Sequence, residues 1–365
     1  MTEQLRELLR QFRIETDNWE LFNTYELFDG HINKTYVLET QQQGAQRRYV
    51  LQNINTYVFK RPAELMENIV RVTQFLRERL AAGEAPGQTT LTVYPARSGE
   101  DYHIDESGGY WRCYNFVENS FSPHTADETV AEKAGHAFGM FQRLLNDFPI
   151  DQLHETIPDF HHTAKRYEAL EAAIAANTAG RRDEVAAEIS FARARKNDCA
   201  KLVDMCGAGE LPQRVTHNDT KLNNVLFDKD TNEAVCVIDF DTIMPGLSLY
   251  DYGDALRFLG NAAAEDERDL SKVQFVMPLF RAYTKGYLQA AASALTPAEI
   301  RMLPFSIKLL TLECGMRFLT DYLNGDVYFR IHKPDDNLAR CRTQFKLVEE
   351  IERHMDEMNA YIASL

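Results

Sequence analysis

Residues 217–224 read His-Asn-Asp-Thr-Lys-Leu-Asn-Asn, followed by Val225-Leu226-Phe227-Asp228 and, after a polar stretch, Val237-Ile238-Asp239-Phe240-Asp241. The pattern is H-x-D-x-x-x-x-N with a second aspartate after an apolar run. The two apolar runs predict short strands that bring Asn224 and Asp239 to one cation. Transfer of a phosphoryl group from ATP asks for this set. Asp219 would orient and deprotonate an attacking hydroxyl, while Asn224 and Asp239 would hold Mg²⁺ against the phosphates. Mg²⁺ is a hard cation that takes oxygen ligands, commonly only one or two from protein. The transition state is loose, so positioning and charge neutralisation outweigh strong proton abstraction. Taken alone, Asp219 also fits an Asx turn; the apolar runs that follow decide for the catalytic reading.

The neighbours of these three residues divide by role. His217 is expected to pack and hydrogen-bond, holding the loop's shape. Lys221 either meets the γ-phosphate or is a solvated loop lysine. Asp241 joins the metal or caps the turn before Met244-Pro245-Gly246. Asp251, in Tyr-Asp-Tyr-Gly-Asp, fits a helix N-cap that steadies the loop. Asn218 and Thr220, beside the base, can bond the substrate.

Outward from this block the chain changes character twice. Leu5, Leu8, Leu9 and Phe12 recur at helical spacing and predict an opening amphipathic helix. Strands are expected at 25–28, 35–39, 49–54, 91–95, 102–105 and 110–117, with Asp29-Gly30 as a turn. Pro62 should open a helix to about Leu80, proline being tolerated in a first turn. After Glu118 the pattern is helical. Thr125 and Glu128 form a candidate capping box, and 166–176 and 182–206 read as helices. From Leu249 onward the chain is helical in several pieces. The expected class is α+β in two lobes, and with the 217–241 block it resembles a protein kinase-like two-lobe fold. Residues 1–118 form a small antiparallel β-rich lobe, and 119–365 a larger, mainly helical one.

The 365 residues are 44% hydrophobic, enough for two cores, and carry a formal charge of −15. Such an acidic chain argues against nucleic-acid or anionic-membrane partners. The six cysteines include no C-x-x-C pair, which disfavours zinc and suits reduced thiols. The charged start, Met-Thr-Glu-Gln-Leu-Arg-Glu, is no signal peptide, and no apolar run would span a bilayer. The expectation is a soluble cytoplasmic protein of undetermined oligomeric state.

The block from His217 to Asp239 resembles the aminoglycoside phosphotransferase and choline kinase-like superfamily. Four segments, 30–36, 216–224, 238–246 and 313–323, look like those of N-acetylhexosamine 1-kinases. The resemblance implies ATP- and Mg²⁺-dependent phosphorylation of the anomeric hydroxyl of N-acetylglucosamine or N-acetylgalactosamine. Other acceptors stay open: an aminoglycoside, choline or ethanolamine, or another amino alcohol. A pseudokinase-like binding module is a third reading. In this fold an early hairpin covers the phosphates, and Asp29-Gly30-His31-Ile32-Asn33 would be its tip, with Gly30, His31 and Asn33 toward the nucleotide. The next strand ordinarily presents a lysine to the phosphates; Gln52 stands there instead, so the usual lysine–glutamate pair, with Glu64 or Glu67 as acid, is in doubt. Adenine would meet the backbone of Phe116, Val117 and Glu118.

For the acceptor, Glu313, Arg317 and Asp321 stand at i, i+4 and i+8 of a predicted helix and share one face. Apolar neighbours suggest that this face is partly enclosed. Buried charges need partners, so Arg317 and, less directly, Asp321 are candidate substrate contacts. An exposed salt-bridge stripe is the plainer alternative. His161-His162 invites a metal reading, but adjacent residues point apart, which favours packing.

Overall fold

The structure is a computed structural model that describes residues 2–14, 19–27, 32–42 and 44–365. Gly30 and His31, with Asp29, lie outside the described residues. In chain order the elements are α1 (Thr2–Leu9), β1 (Glu20–Leu27), β2 (Lys34–Gln42), β3 (Ala45–Ile54), α2 (Pro62–Ala81), β4 (Val93–Tyr94), β5 (His103–Ile104), β6 (Tyr110–Asn115) and β7 (Ser120–Phe121). There follow α3 (Glu128–Leu144), α4 (Thr163–Ala176), α5 (Ala186–Ala194), α6 (Lys201–Gly207), β8 (Arg214–Thr216), β9 (Val225–Asp228), β10 (Ala234–Val237) and β11 (Met244–Gly246). The chain ends in α7 (Ser248–Leu259), α8 (Met277–Ala291), α9 (Pro297–Asn324) and α10 (Asp336–Ala363). The antiparallel β-rich start and helical remainder match the expected kinase-like fold.

The chain divides into two compact units, and the division is discontinuous. The first takes Met1–Ser122, Asp147–Pro158 and Val225–Pro245; the second takes the rest. The segment 225–245, which a single cut after residue 118 would place in the larger lobe, lies with the first unit and carries Asp239 and Asp241. That segment folds as the β9–β10 hairpin and adds β7 on its far edge, which ties it to the first unit.

In the first unit the strands run in the order β1-β2-β3-β6-β4, with β5 also on β6, all antiparallel. Strand side chains alternate faces. Leu38, Tyr49, Leu51 and Cys113 share a buried cluster with Leu5, Leu8, Leu9 and Phe12, the expected amphipathic face of the opening helix. The alternation turns Gln52 and Arg112 to the other face, where the register sets Thr35, Gln52 and Arg112 in one row across β2, β3 and β6. Helix α2 opens at Pro62, as expected, and buries Leu65, Met66, Ile69, Val72 and Leu76.

In the second unit α3 packs on α8 with backbones almost touching. A Cβ on Gly286 would stand 1.9 Å from the Glu132 carbonyl oxygen, and one on Gly135 2.1 Å from that of Tyr283, so both positions require glycine. A second core joins α4, α5, α9 and α10 through Leu170, Ile189, Leu319 and Phe345, with Phe191 stacked on Phe345 at 4.5 Å. Three local expectations change. Asp127, not Thr125, caps α3, accepting the Val130 N–H at 2.8 Å. Residues 182–206 break into 3-10 turns and two short helices rather than one. Among the described residues a capping box is formed by Thr296 and Glu299, opening α9. Glu299 also takes the Arg214 guanidinium and the Ser248 hydroxyl, so the box is one corner of a buried polar network.

Candidate active site

The catalytic-type loop of the second unit leaves β8 at Thr216 and is fixed from below by α7. Asp251 is buried, and its carboxylate accepts the backbone N–H of His217 at 2.9 Å, that of Asn218 at 2.7 Å, and Gln142 Nε2 at 2.8 Å. Its own backbone carbonyl accepts the Thr220 hydroxyl at 2.6 Å. Burial pushes the Asp251 carboxyl above its ordinary value, while His217 and the two amides pull it back in part. The residue does steady the loop, but not as an N-cap: Leu247 occupies that position, and Asp251 lies one turn into the helix. His217 is fully buried, edge-on to Phe138 and Phe141 at 5.8 and 6.0 Å, and its Nδ1 accepts the Asp219 N–H at 3.3 Å. Both contacts are those of a structural histidine.

These bonds present Asp219 half-buried at the turn. Asn218 before it adopts a left-handed conformation (φ 64°), uncommon for a non-glycine residue and tolerated best by Asn. Lys221 Nζ stands 2.7 Å from Asp219 Oδ1. Asn224 donates from Nδ2 to the Asp219 carbonyl at 2.7 Å. That bond fixes the amide plane and leaves Oδ1, the atom a hard cation would take, as the acceptor end. Asn218 and Thr220, expected as substrate contacts, spend their side chains internally, on the Thr216 carbonyl and the Asp251 carbonyl respectively.

The charged face of α9 is also internal in large part. Glu313 is 1% exposed and binds His161 Nδ1 at 2.8 Å and the Thr163 hydroxyl at 2.6 Å. His161 Nε2 lies 3.3 Å from the Asn218 carbonyl, so the pair buttresses the loop. His162 caps α4, accepting the Lys165 N–H; both histidines thus have the expected packing roles. Asp321 differs from expectation. Its carboxylate accepts the N–H groups of Val327, Tyr328 and Phe329 at 2.8–2.9 Å and the Asn337 amide at 2.9 Å, which organises the loop after α9 rather than a ligand. Arg317 is half-buried, its guanidinium 5.8 and 5.5 Å from the rings of Phe160 and Phe329. A second guanidinium, Arg166, is near enough that burial and the Arg317 charge together lower its pKa. Nothing in the helical periodicity pointed to Arg166.

Stability should report the His161–Glu313 pair through pH. Burial works against charge on His161, but Glu313 more than offsets it and raises the pKa above its ordinary 6.5. For Glu313 burial acts upward, and His161 with its hydrogen bonds lowers the pKa below 4.5. A raised histidine contributes fully below its unfolded value and loses the contribution as pH rises through the folded one. A lowered carboxylate contributes above its unfolded value and loses it as pH falls. The pair therefore stabilises most between 4.5 and 6.5. Glu313→Gln is expected to destabilise more at about pH 6 than at about pH 9 in urea titrations. An equal loss at both values would contradict the ion pair.

In the first unit Asp239 follows β10 with a left-handed backbone (φ 65°, ψ 64°), and a 3-10 turn over Phe240–Thr242 comes next. Asp241 is 5% exposed and pairs with the guanidinium of Arg112, itself 1% exposed. It also accepts Asn33 Nδ2, and Asn33 Oδ1 accepts the Asn55 N–H at 2.9 Å. Gln52 Oε1 accepts Arg112 Nε and Nη2 at 3.0 and 2.8 Å, while its Nε2 donates to Thr35 at 2.9 Å. So Gln52 and Asn33 hold neighbouring side chains. The buried cation, Arg112, is one strand away from the place where a lysine was missed. Its sequence signal was a charge inside the buried run Trp111-Arg112-Cys113-Tyr114. Around Phe116–Glu118, the Arg48 guanidinium lies 4.1 Å from the Phe116 ring centroid and pairs with Glu118, and the Val117 carbonyl accepts the Ser120 hydroxyl.

Among the described residues no three His, Cys, Asp or Glu side chains form a metal cluster. No helix among them is long and apolar enough to cross a membrane. All six cysteines are free thiols, four of them buried.

The fold has relatives of known structure at low sequence identity. A microcompartment-associated aminopropanol kinase superimposes with a TM-score of 0.62 at 18% identity, covering 98% of this chain and 99% of that one. Choline kinase from Cryptosporidium parvum Iowa II gives 0.57 at 14% identity, over 100% and 99%. Spectinomycin phosphotransferase, solved with ADP and spectinomycin, gives 0.59 at 13% identity, over 98% and 99%. The sequence profile of the phosphotransferase enzyme family, APH, matches residues 25–293 and takes in the whole of the 217–241 block. On that match, together with the loop geometry above, the chain belongs to the phosphotransferase enzyme family.

Proposed function

We propose that this protein is an ATP- and Mg²⁺-dependent kinase acting on a hydroxyl group of a small molecule. The observation that carries the proposal is the presentation of Asp219 by a loop pinned at His217, Asn218 and Thr220, with Lys221 and Asn224 on the same carboxylate-bearing turn. Asp219 would accept a hydrogen bond from the acceptor hydroxyl, orient its lone pair toward the γ-phosphorus, and take the proton as the bond to phosphorus forms. Lys221, 2.7 Å from that carboxylate, would bond a phosphate oxygen in the presence of nucleotide. Asn224 and Asp239 fit Mg²⁺. One offers a fixed amide oxygen and the other an exposed carboxylate. The ion, when bound, neutralises charge on the phosphates.

The acceptor has two readings. The structural relatives, aminopropanol, choline and aminoglycoside kinases among them, favour an amino alcohol or aminoglycoside. The specific observation for an N-acetylhexosamine, phosphorylated at its anomeric hydroxyl, is that Arg317 and Arg166 both reach Phe160, the first 5.8 Å from its ring centroid and the second donating to its carbonyl at 2.8 Å. Two guanidiniums repel a cationic acceptor, and they donate well to sugar hydroxyl and acetamido oxygens.

ADP release should be followed with Mg-ATP and a panel of hexosamines, N-acetylhexosamines, aminoglycosides, choline, ethanolamine and aminopropanol. Turnover confined to one group names the acceptor; ATP binding with no turnover on any would favour the binding-module reading. Arg317→Ala is expected to raise the acceptor KM about tenfold or more, the loss of one charge-assisted contact, with the ATP KM within twofold. An unchanged acceptor KM and kcat would remove Arg317 from the acceptor site.

A further inference from the structure

The first unit contains a buried charge network that the catalytic reading leaves unused. Arg112 is almost wholly enclosed on β6, between Gln52 of β3, Met66 of α2 (Sδ 4.0 Å from Nη1) and the ring of Tyr114 at 5.1 Å. Burying a guanidinium is costly unless it is paired and hydrogen-bonded. Here its carboxylate partner is Asp241, which stands two residues after Asp239.

The same turn is gripped from other sides. Asn33, at the foot of the β1–β2 connection, donates to Asp241. Asn68 of α2, 1% exposed, donates to the Ile243 carbonyl at 2.9 Å and to the His154 carbonyl at 2.8 Å. Two acids of α2 are engaged elsewhere, Glu64 with Arg61, and Glu67 with Arg71 and His154. The sheet's buried cation is therefore committed to the turn that follows the candidate metal ligand, and not to helix α2.

That placement has a mechanical consequence. Asp239 is held in a left-handed conformation that is strained for a non-glycine residue and persists only where its surroundings over-determine it. Asp241 is anchored in the sheet, Ile243 is anchored on α2, and β10 is fixed in register up to Val237. Asp239 is bracketed by these points.

We infer that Arg112 is a positioning residue for nucleotide-bound metal: through Asp241 it fixes the turn that aims the Asp239 carboxylate, and so replaces the missing lysine–glutamate pair with an arginine–aspartate pair inside the sheet. Gln52 is the second support of that guanidinium rather than a phosphate ligand. The inference rests on the kinase reading and adds to it how the metal carboxylate is set.

Calorimetric titration of ADP, with and without Mg²⁺, tests this without relying on turnover. Wild-type protein should bind ADP at least tenfold more tightly with Mg²⁺; if it does not, the kinase and metal reading itself fails. The double variant Arg112→Met/Asp241→Asn removes both charges at nearly constant volume, so no unpaired charge is left buried. It should fold, bind ADP alone within threefold of wild type, and lose most of the Mg²⁺ enhancement. Arg112→Lys, which keeps a charge near Asp241, should recover part of it. A folded double variant that retains the full enhancement overturns the inference. So does a double variant that fails to fold, since the pair would then serve stability and not the metal.

Discussion

Asp219→Asn is expected to lower kcat by about 10²–10⁴-fold, the usual worth of a positioned acid–base group. Asparagine has the same shape and can still be reached by Lys221 and Asn224 through its oxygen, so the loop should keep its form. What it loses is the charge and the ability to take a proton. Asp219 is only half-buried and its carboxylate is not one of the groups that tie the loop to α7. Stability should therefore shift by no more than about 0.5 kcal/mol, the range of ordinary surface changes. Because the interaction strengthens on the way to the transition state, kcat and kcat/KM should fall together while the ADP dissociation constant stays within a few-fold. A variant that keeps more than a tenth of wild-type kcat would take Asp219 out of the catalytic role.

Asp251→Ala is expected to act on the fold and the chemistry at once. It strips the acceptor from two backbone N–H groups and from Gln142 Nε2, all buried. A buried donor left unsatisfied costs roughly 1–3 kcal/mol. The three are neighbours and do not add simply, so a total loss of about 3 kcal/mol or more is expected in urea unfolding. Without those bonds the left-handed turn at Asn218 is left to the Thr220 hydroxyl bond and the His161 contact, and kcat should fall by about tenfold or more even in the folded fraction. Asp251→Asn, which keeps one acceptor oxygen, should fall between. An unchanged urea midpoint together with an unchanged kcat would contradict the account of how the loop is held.

The two variants separate what the sequence discloses from what it hides. His217 to Asp241 was legible because its signals are local: residue type, fixed spacing and two short apolar runs that become β9 and β10. The amphipathic face of α1 and the opening of α2 at Pro62 were legible for the same reason. Partnerships across long separations were not. Glu313 and Asp321 share a helical face with Arg317. Whether a carboxylate meets a ligand, a histidine 152 positions away, or a set of backbone amides depends on tertiary packing, and here it is the last two. The division of the chain was hidden similarly, because the 225–245 segment joins the first unit by sheet pairing to β7. Arg112 carried a fainter signal. A charge in the middle of a buried strand demands a partner, but its identity as Asp241 needed the fold.

The central proposal is transfer of the γ-phosphoryl group of ATP to a small-molecule hydroxyl with Asp219 as base. Phosphorus NMR of the protein with Mg-ATP and the acceptor panel tests it most directly. The account predicts a new phosphomonoester resonance that grows in step with ADP for at least one acceptor and is absent with Asp219→Asn. ATP that stays intact with every acceptor, or that yields only ADP and inorganic phosphate, would contradict it.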